Sequence, residues 1–286
     1  VSQPTFREVV SVLDLAYPPA LAADWDAVGP VCGDLDATAC SVLFAVDPVM
    51  EVVDEALLAQ VDLIVTHHPL FLAGVHSVAA TTAKGKIVQT LISHGIGLFC
   101  AHTNADHANP GVSDALAAKL GVADLRPLVP TLVATTFGEP ATGTGRVGEL
   151  PETLTLEQFA ESVAAALPAT KHGVRVAGDL QTPVRTVAVC GGAGDGFLAD
   201  AALAADVYVT SDLRHHRALE HLAEGGCALI DIAHWAGEWP WLEQAAGALV
   251  AGLGSQGSSV RTIVSQLPTD PWTARVLPAP SQGSKS

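Results

Sequence analysis

The chain has 286 residues, 49% hydrophobic and only 15% charged, which is enough apolar surface for one large domain or two ordinary ones. Thirty acids against 14 bases leave a net charge of −16, which repels phosphate backbones and argues against general nucleic-acid binding. No apolar run approaches the roughly 18 residues of a membrane span, VSQPTFREVV lacks the features of a secretory signal, and the five cysteines form no C-x-x-C pair, so a soluble cytoplasmic protein with buried free thiols is expected.

Helical spacing predicts a first helix over Thr5–Leu15, stopped by Pro18 and Pro19. DWDAVGPVCGD (24–34) reads as a loop leading into a short strand. From Ser41 strands and helices alternate: SVLFAVD is a strand, PVMEVVDEALLAQ a helix entered through Pro48, VDLIVT (61–66) a strand, KGKIVQTLISHG a helix ended by Gly95, GIGLFCAHT a strand, and GVSDALAAKLG a helix. The stretch 126–150 is less regular, with TGTGRVGELP as a glycine-rich turn and strand edge. TLEQFAESVAAAL (155–167) is a helix capped by Thr153 or Thr155. The alternation then resumes with TVAVCGG, GDGFLADAALAA, DVYVT, LRHHRALEHLAEGG and CALIDIAH, and a last helix from about Glu238 to Leu253. Such alternation predicts an α/β fold with largely parallel sheets. The last residues, PAPSQGSKS, read as a frayed tail.

The two halves match each other. FAVD (44–47) aligns with VAVC (187–190), VDLIVTHH (61–68) with ADVYVTSD (205–212), and GLFCAHTNAD (97–106) with ALIDIAHWAGE (228–238) after one insertion. His102 precedes Asp106 by four residues, and His234 precedes Glu238 by four, each pair just past a strand's C-terminal end, where ligands of open α/β sheets collect. A pseudo-twofold would aim both pairs and the THH of 66–68 at one point.

His67 and His68 are adjacent, and one metal rarely takes both, whereas two neighbouring metals can take one each. Imidazoles with carboxylates suit Zn, Mn, Fe, Co or Ni, and no cysteine sits at a matching position. The expected metal-binding set is His67, His68, Asp106, His234 and Glu238; as isolated acids, Asp106 and Glu238 would read simply as helix-start residues. His102, His107, His215 and His216 lie nearby; His215 and His216 sit within one helix and cannot both face the same partner, so one would serve as an outer-sphere or substrate group and the other as a surface residue. His76, His94, His172 and His221 are assigned no role. CGGAGDG (190–196) follows a strand as phosphate loops do, but has no Walker or G-x-G-x-x-G pattern and is explained as a tight turn.

THHP (66–69), HTNAD (102–106), CGGAG (190–194), TSDLRHH (210–216) and H-x-x-x-E (234–238), with WDAVG (25–29) and GRVGELP (145–151), resemble the signatures of the NIF-three-like proteins, also called GTP cyclohydrolase 1 type 2 homologues. The resemblance runs from about residue 5 to 275; Ser211 stands where many members have glycine. It implies two intertwined α/β repeats, 1–125 and 126–276, with mixed, mostly parallel sheets and a flexible tail at 277–286. It also implies a homohexameric ring and two divalent ions per chain on His67, His68, Asp106, His234 and Glu238. The domain that some members insert between the halves has no room at 126–150. The implied function is a metal-dependent hydrolase, with GTP cyclohydrolase type ring opening of a nucleotide or small polar substrate as the named candidate and His102, His215 and His216 as catalytic candidates. The alternatives are a phosphoesterase or a non-catalytic metal-binding or regulatory scaffold.

Overall fold

The computed structural model describes residues 2–131 and 141–276. Helix α1 (Phe6–Ala16) opens with a reciprocal cap: the Thr5 hydroxyl accepts from the Glu8 amide and the Glu8 carboxylate accepts from the Thr5 amide. The chain continues through β1 (Gly29–Cys32), β2 (Ser41–Ala45), α2 (Met50–Ala59), β3 (Leu63–Thr66), α3 (Ala83–Ser93), β4 (Gly97–Cys100), the short α4 (Thr103–His107) and α5 (Val112–Lys119). The second series is β5 (Ala123–Pro130), β6 (Gly143–Thr155), α6 (Leu156–Ala166), β7 (Arg175–Ala177), β8 (Pro183–Ala193), α7 (Leu198–Ala204), β9 (Val207–Ser211), α8 (His215–Ala223), β10 (Ala228–Ile232), α9 (His234–Ser255) and β11 (Arg261–Val264).

Two mixed sheets result, ordered β1-β4-β3-β2-β11 and β5-β6-β8-β9-β10-β7. The last strand therefore returns to the first sheet, parallel to β2. Helices cover both faces of each sheet, so β2, β3, β4, β9 and β10 are buried along their whole length, as their mainly apolar sequences allow. One core joins α1 and α9 to a face of the first sheet, with Phe6, Leu13, Phe44, Phe99, Trp241 and Leu249 among its members.

Parallel pairing dominates the first sheet only. In the second, β5 pairs antiparallel with β6, β6 with β8, and β7 with β10. The segment read as a glycine-rich turn and strand edge is strand from Gly143 onward: it lies in β6, which sits between β5 and β8. Its glycines disguised a strand of 13 residues. They also permit close packing, since a Cβ at Gly148 would lie 2.2 Å from the Ala123 carbonyl. Part of the irregular stretch, 132–140, and the tail at 277–286 lie outside the described residues.

Hydrogen-bond registers test the internal repeat. Leu63 pairs with Gly97 and Thr66 with Cys100 in the first sheet; Val207 pairs with Ala228 and Thr210 with Asp231 in the second. These are the offsets that the matches of the second and third strands demand. The first-strand match needs correction. Val42 faces Leu63 and Val187 faces Val207, so FAVD and VAVC are two residues out of step. A slip of two keeps every side chain on its own face, and in a strand buried on both faces it leaves the apolar pattern unchanged. Edge strands β1 and β7 extend the correspondence, each running antiparallel to its neighbour, β4 or β10.

Candidate metal centre

The C-terminal ends of β3, β4 and β10 converge. His67 and His68 follow β3 directly, and their backbones stay beside β2 through amide bonds to the Ala45 and Val46 carbonyls. Their rings do not diverge to opposite faces: the centroids lie 5.1 Å apart. His102 caps α4, which carries Asp106. His234 is the first residue of α9, which begins four residues earlier than the sequence pattern indicated, so His234 and Glu238 project from one helical face. Pro240 lies within this helix and supplies no amide to it.

A nitrogen of each of His67, His68 and His102 lies within 4.8 Å of the others, and the same holds for His68, His234 and a Glu238 oxygen. His68 belongs to both groups. Glu238 is buried at the centre: Oε1 is 2.9 Å from His234 Nε2 and 3.4 Å from His67 Nε2, and Oε2 is 3.1 Å from His68 Nε2. Asp106 stands at the rim, 3.7 Å from His67 Nε2.

All four histidines turn Nε2 inward because Nδ1 is engaged behind them. His67 Nδ1 donates to the Ala101 carbonyl at 2.9 Å. His68 Nδ1 donates to Asp47 at 2.7 Å, His102 Nδ1 to Asp26 at 2.9 Å and His234 Nδ1 to Asp212 at 2.7 Å. Each of these partners only accepts, so each ring keeps its Nδ1 proton and offers the Nε2 lone pair when neutral. Carboxylates or carbonyls behind inward-facing imidazoles are the usual support of metal-ligating histidines.

The charges agree. Burial opposes a charged Glu238, but His68, His234 and His67 outweigh it and hold the carboxyl well below its usual range. Burial would lower His68 and His234, yet Glu238 and the supporting aspartates push them up to about 10 and about 11. Burial and neighbouring His67 lower His102, while burial raises Asp106. His67 Nε2 and Glu238 Oε2 are sealed from solvent without an aligned hydrogen bond. Buried polar atoms left in that condition, within a nitrogen–oxygen donor set, fit a bound divalent cation.

Sequence reading missed three supporting carboxylates and one glycine. Asp26, Asp47 and Asp212 stand behind His102, His68 and His234; Asp212 adopts a left-handed backbone, φ 57°, uncommon outside glycine. Gly192, treated as part of a simple turn, packs against the centre: its φ is +73°, and a Cβ there would lie 2.5 Å from Glu238 Oε1. The signal was available, since Asp47 and Asp212 each follow a strand one β-α-β step before the histidine they hold. Against expectation, His215 and His216 stand exposed on the first turn of α8 and do not line the cavity over the cluster. His107 does line it, its Nδ1 donating to the Leu21 carbonyl at 2.6 Å. All five cysteines are free. Among the described residues, no helix is long and apolar enough to cross a membrane.

Fold and cluster together define an α/β protein whose two mixed sheets bring histidines and a buried glutamate to a site able to hold metal. The family model described as Duf34/NIF3 (NGG1p interacting factor 3) matches residues 4–271, and the chain belongs to that family. It is 49% identical over 282 residues, 98% of each chain, to a Streptomyces coelicolor protein called a GTP cyclohydrolase 1 type 2 homolog. A Mycobacterium tuberculosis protein of the same description is 38% identical over 368 residues, covering 93% of this chain and 96% of its own. That alignment is longer than the present chain, so the mycobacterial relative carries extra residues within the matched span. A Bacillus cereus protein related to NIF3 superposes with a TM-score of 0.87 at 27% identity, over 95% of this chain and 99% of that one.

Proposed function

We propose that the protein is a divalent-metal-dependent hydrolase. His67, His68, Asp106, His234 and Glu238 hold a pair of ions, and the substrate is a nucleotide or similar small polar molecule. The observation that carries this reading is the sealed Glu238 carboxylate ringed by three Nε2 atoms, each backed at Nδ1. The relatives' description, GTP cyclohydrolase 1 type 2 homolog, supports opening of a purine imidazole ring as the particular reaction.

Bound divalent ions supply a lowered water pKa and an electrophilic pull on the substrate. The chain's own residues do the rest. Glu238 and Asp106 place negative charge where cations gather, and Asp47 and Asp212 fix the tilt of His68 and His234. His102, lining the cavity and oriented by Asp26, presents an unprotonated Nε2 that can take up a proton, since burial and His67 lower its pKa. His215 and His216 have no part in this reading. The five free cysteines suit a reducing, cytoplasmic setting, and a homohexameric ring is the assembly proposed.

The test incubates protein loaded with Zn, Mn, Fe or Co with GTP and measures released formate, with elemental analysis of the same samples. Formate lost in Glu238→Gln supports the reaction. No formate with any of the four metals rejects cyclohydrolysis, and absence of metal after loading rejects the hydrolase reading itself.

A further inference from the structure

We propose that Trp25 is the stacking platform for a planar heteroaromatic ring in the molecule processed over the metal centre. This rests on the hydrolase reading above and narrows its substrate class.

A cavity of about 360 Å³ opens onto the cluster, with His68, His102 and Glu238 in its floor and Trp25, Phe197 and Gly192 among its walls. Trp25 leaves 60% of its surface exposed and Trp272 65%, whereas Trp235, Trp239 and Trp241 are all buried; of the two exposed indoles, Trp25 is the one that lines this cavity. An indole at the surface forgoes one of the largest apolar burials available to a side chain. The loop that carries Trp25 is nonetheless held on both sides of the residue. On one side the Ala23 amide donates to Thr103 Oγ1 at 2.9 Å; on the other the Asp26 carboxylate accepts from the Thr103 amide and from His102 Nδ1, both at 2.9 Å. The loop is thus tied at two points to the helix start that carries His102. The indole meets the His102 ring nearly perpendicularly, at 76° and 5.9 Å between centroids, so the imidazole does not lie flat on it. An exposed aromatic face on a tethered loop, beside a polar, metal-competent floor, suits a ligand with a flat ring at one end and a reacting polar group at the other. Stacking discriminates for a planar aromatic ring and against sugars, whose saturated rings have no π face.

The experiment uses the full-length, metal-loaded protein with guanosine, adenosine and ribose as probes, followed by calorimetry and tryptophan fluorescence. The expected result is binding of a nucleoside but not of ribose, with quenching of fluorescence. Trp25→Ala should weaken nucleoside binding about tenfold or more, and Trp25→Phe should retain most of it. Nucleosides binding no better than ribose, or binding equally to Trp25→Ala, overturn the proposal. A change in molecular mass of Trp25→Ala by light scattering also overturns it, because the indole would then serve a contact with a second copy of the chain. Metal content of the same samples separates the two levels. If metal is present and the Trp25 effect is absent, stacking alone fails; if wild-type protein takes up no metal, the underlying hydrolase reading fails.

Discussion

Replacing Arg146 by methionine removes a fully buried guanidinium that ties three parts of the site's surroundings together. Its Nε donates to Asp114 Oδ1 at 2.9 Å and its Nη2 lies 2.7 Å from Asp114 Oδ2, a two-pronged pairing. Nη1 donates to the Gly143 and Gly145 carbonyls, both at 2.7 Å, and Nη2 donates to the carbonyl of Ala108, the residue just past α4 and Asp106. The variant leaves Asp114 with the Gly111 amide as its remaining described donor and strips three carbonyls of theirs. Breaking a buried pair from one side costs about 3–5 kcal/mol. With an unfolding entropy of about 2.1 cal/mol/K per residue, a chain of 286 residues loses about 0.6 kcal/mol per degree, so Tm should fall by roughly 5–8 °C. Differential scanning calorimetry in chelator measures the fall. The double variant Arg146→Met with Asp114→Leu should recover much of it, since apolar replacement of both partners removes the stranded charge. A single variant melting within about 2 °C of wild type would refute the assignment of Arg146 as a buried clamp.

Asp47→Asn and Asp212→Asn should each weaken metal binding about 10- to 100-fold, measured by competition with a chromogenic chelator; unchanged affinity would show that the Nδ1 contacts do not orient the ligands. Gly192→Ala should lower metal content per chain by elemental analysis, because its Cβ would displace Glu238 Oε1. The last prediction concerns pH. His68 and His234 are raised to about 10 and about 11 from 6.5, so in chelator their contribution to stability is complete below about pH 6.5 and is lost as pH rises through those values. Glu238 is depressed, so its contribution is complete above its ordinary 4.5 and is lost as pH falls toward its lowered value. Metal requires deprotonated imidazoles and binds more tightly over the alkaline part of that range. The Tm difference between metal-loaded and chelated protein should therefore widen from pH 6 to pH 9, and a gap that narrows would contradict the assignment.

What could be read from the sequence follows from what the repeat repeats. His67, His68 and His234 were visible because each follows a mainly apolar strand, at whose end a polar group has the sheet's carboxyl edge to occupy, and Glu238 because it stands one helical turn beyond His234. The β5–β6 pairing was not visible, because glycines at 143, 145 and 148 suppress the alternation that marks a strand while serving its packing. Nor was the return of β11 to the first sheet, which depends on α9 reaching across a shared core rather than on any local pattern.

The supporting carboxylates show where sequence logic stopped short of the structure. His68 and Asp47 are 21 residues apart, and His234 and Asp212 are 22 apart. Each separation is one β-α-β step, because parallel neighbouring strands end side by side and the acid after one strand reaches the imidazole after the next. The rule turned a repeat of apolar strands into a prediction of ligands, but it was applied only to the residues that would touch metal. His102 breaks the pattern. Its carboxylate, Asp26, is 76 residues away, in the loop before an antiparallel edge strand, and no step of the repeat connects them. The regular pairs hold the floor of the centre, and the irregular one carries Trp25 beside it. The part of the site nearest the proposed stacking face is thus the part the repeat does not dictate.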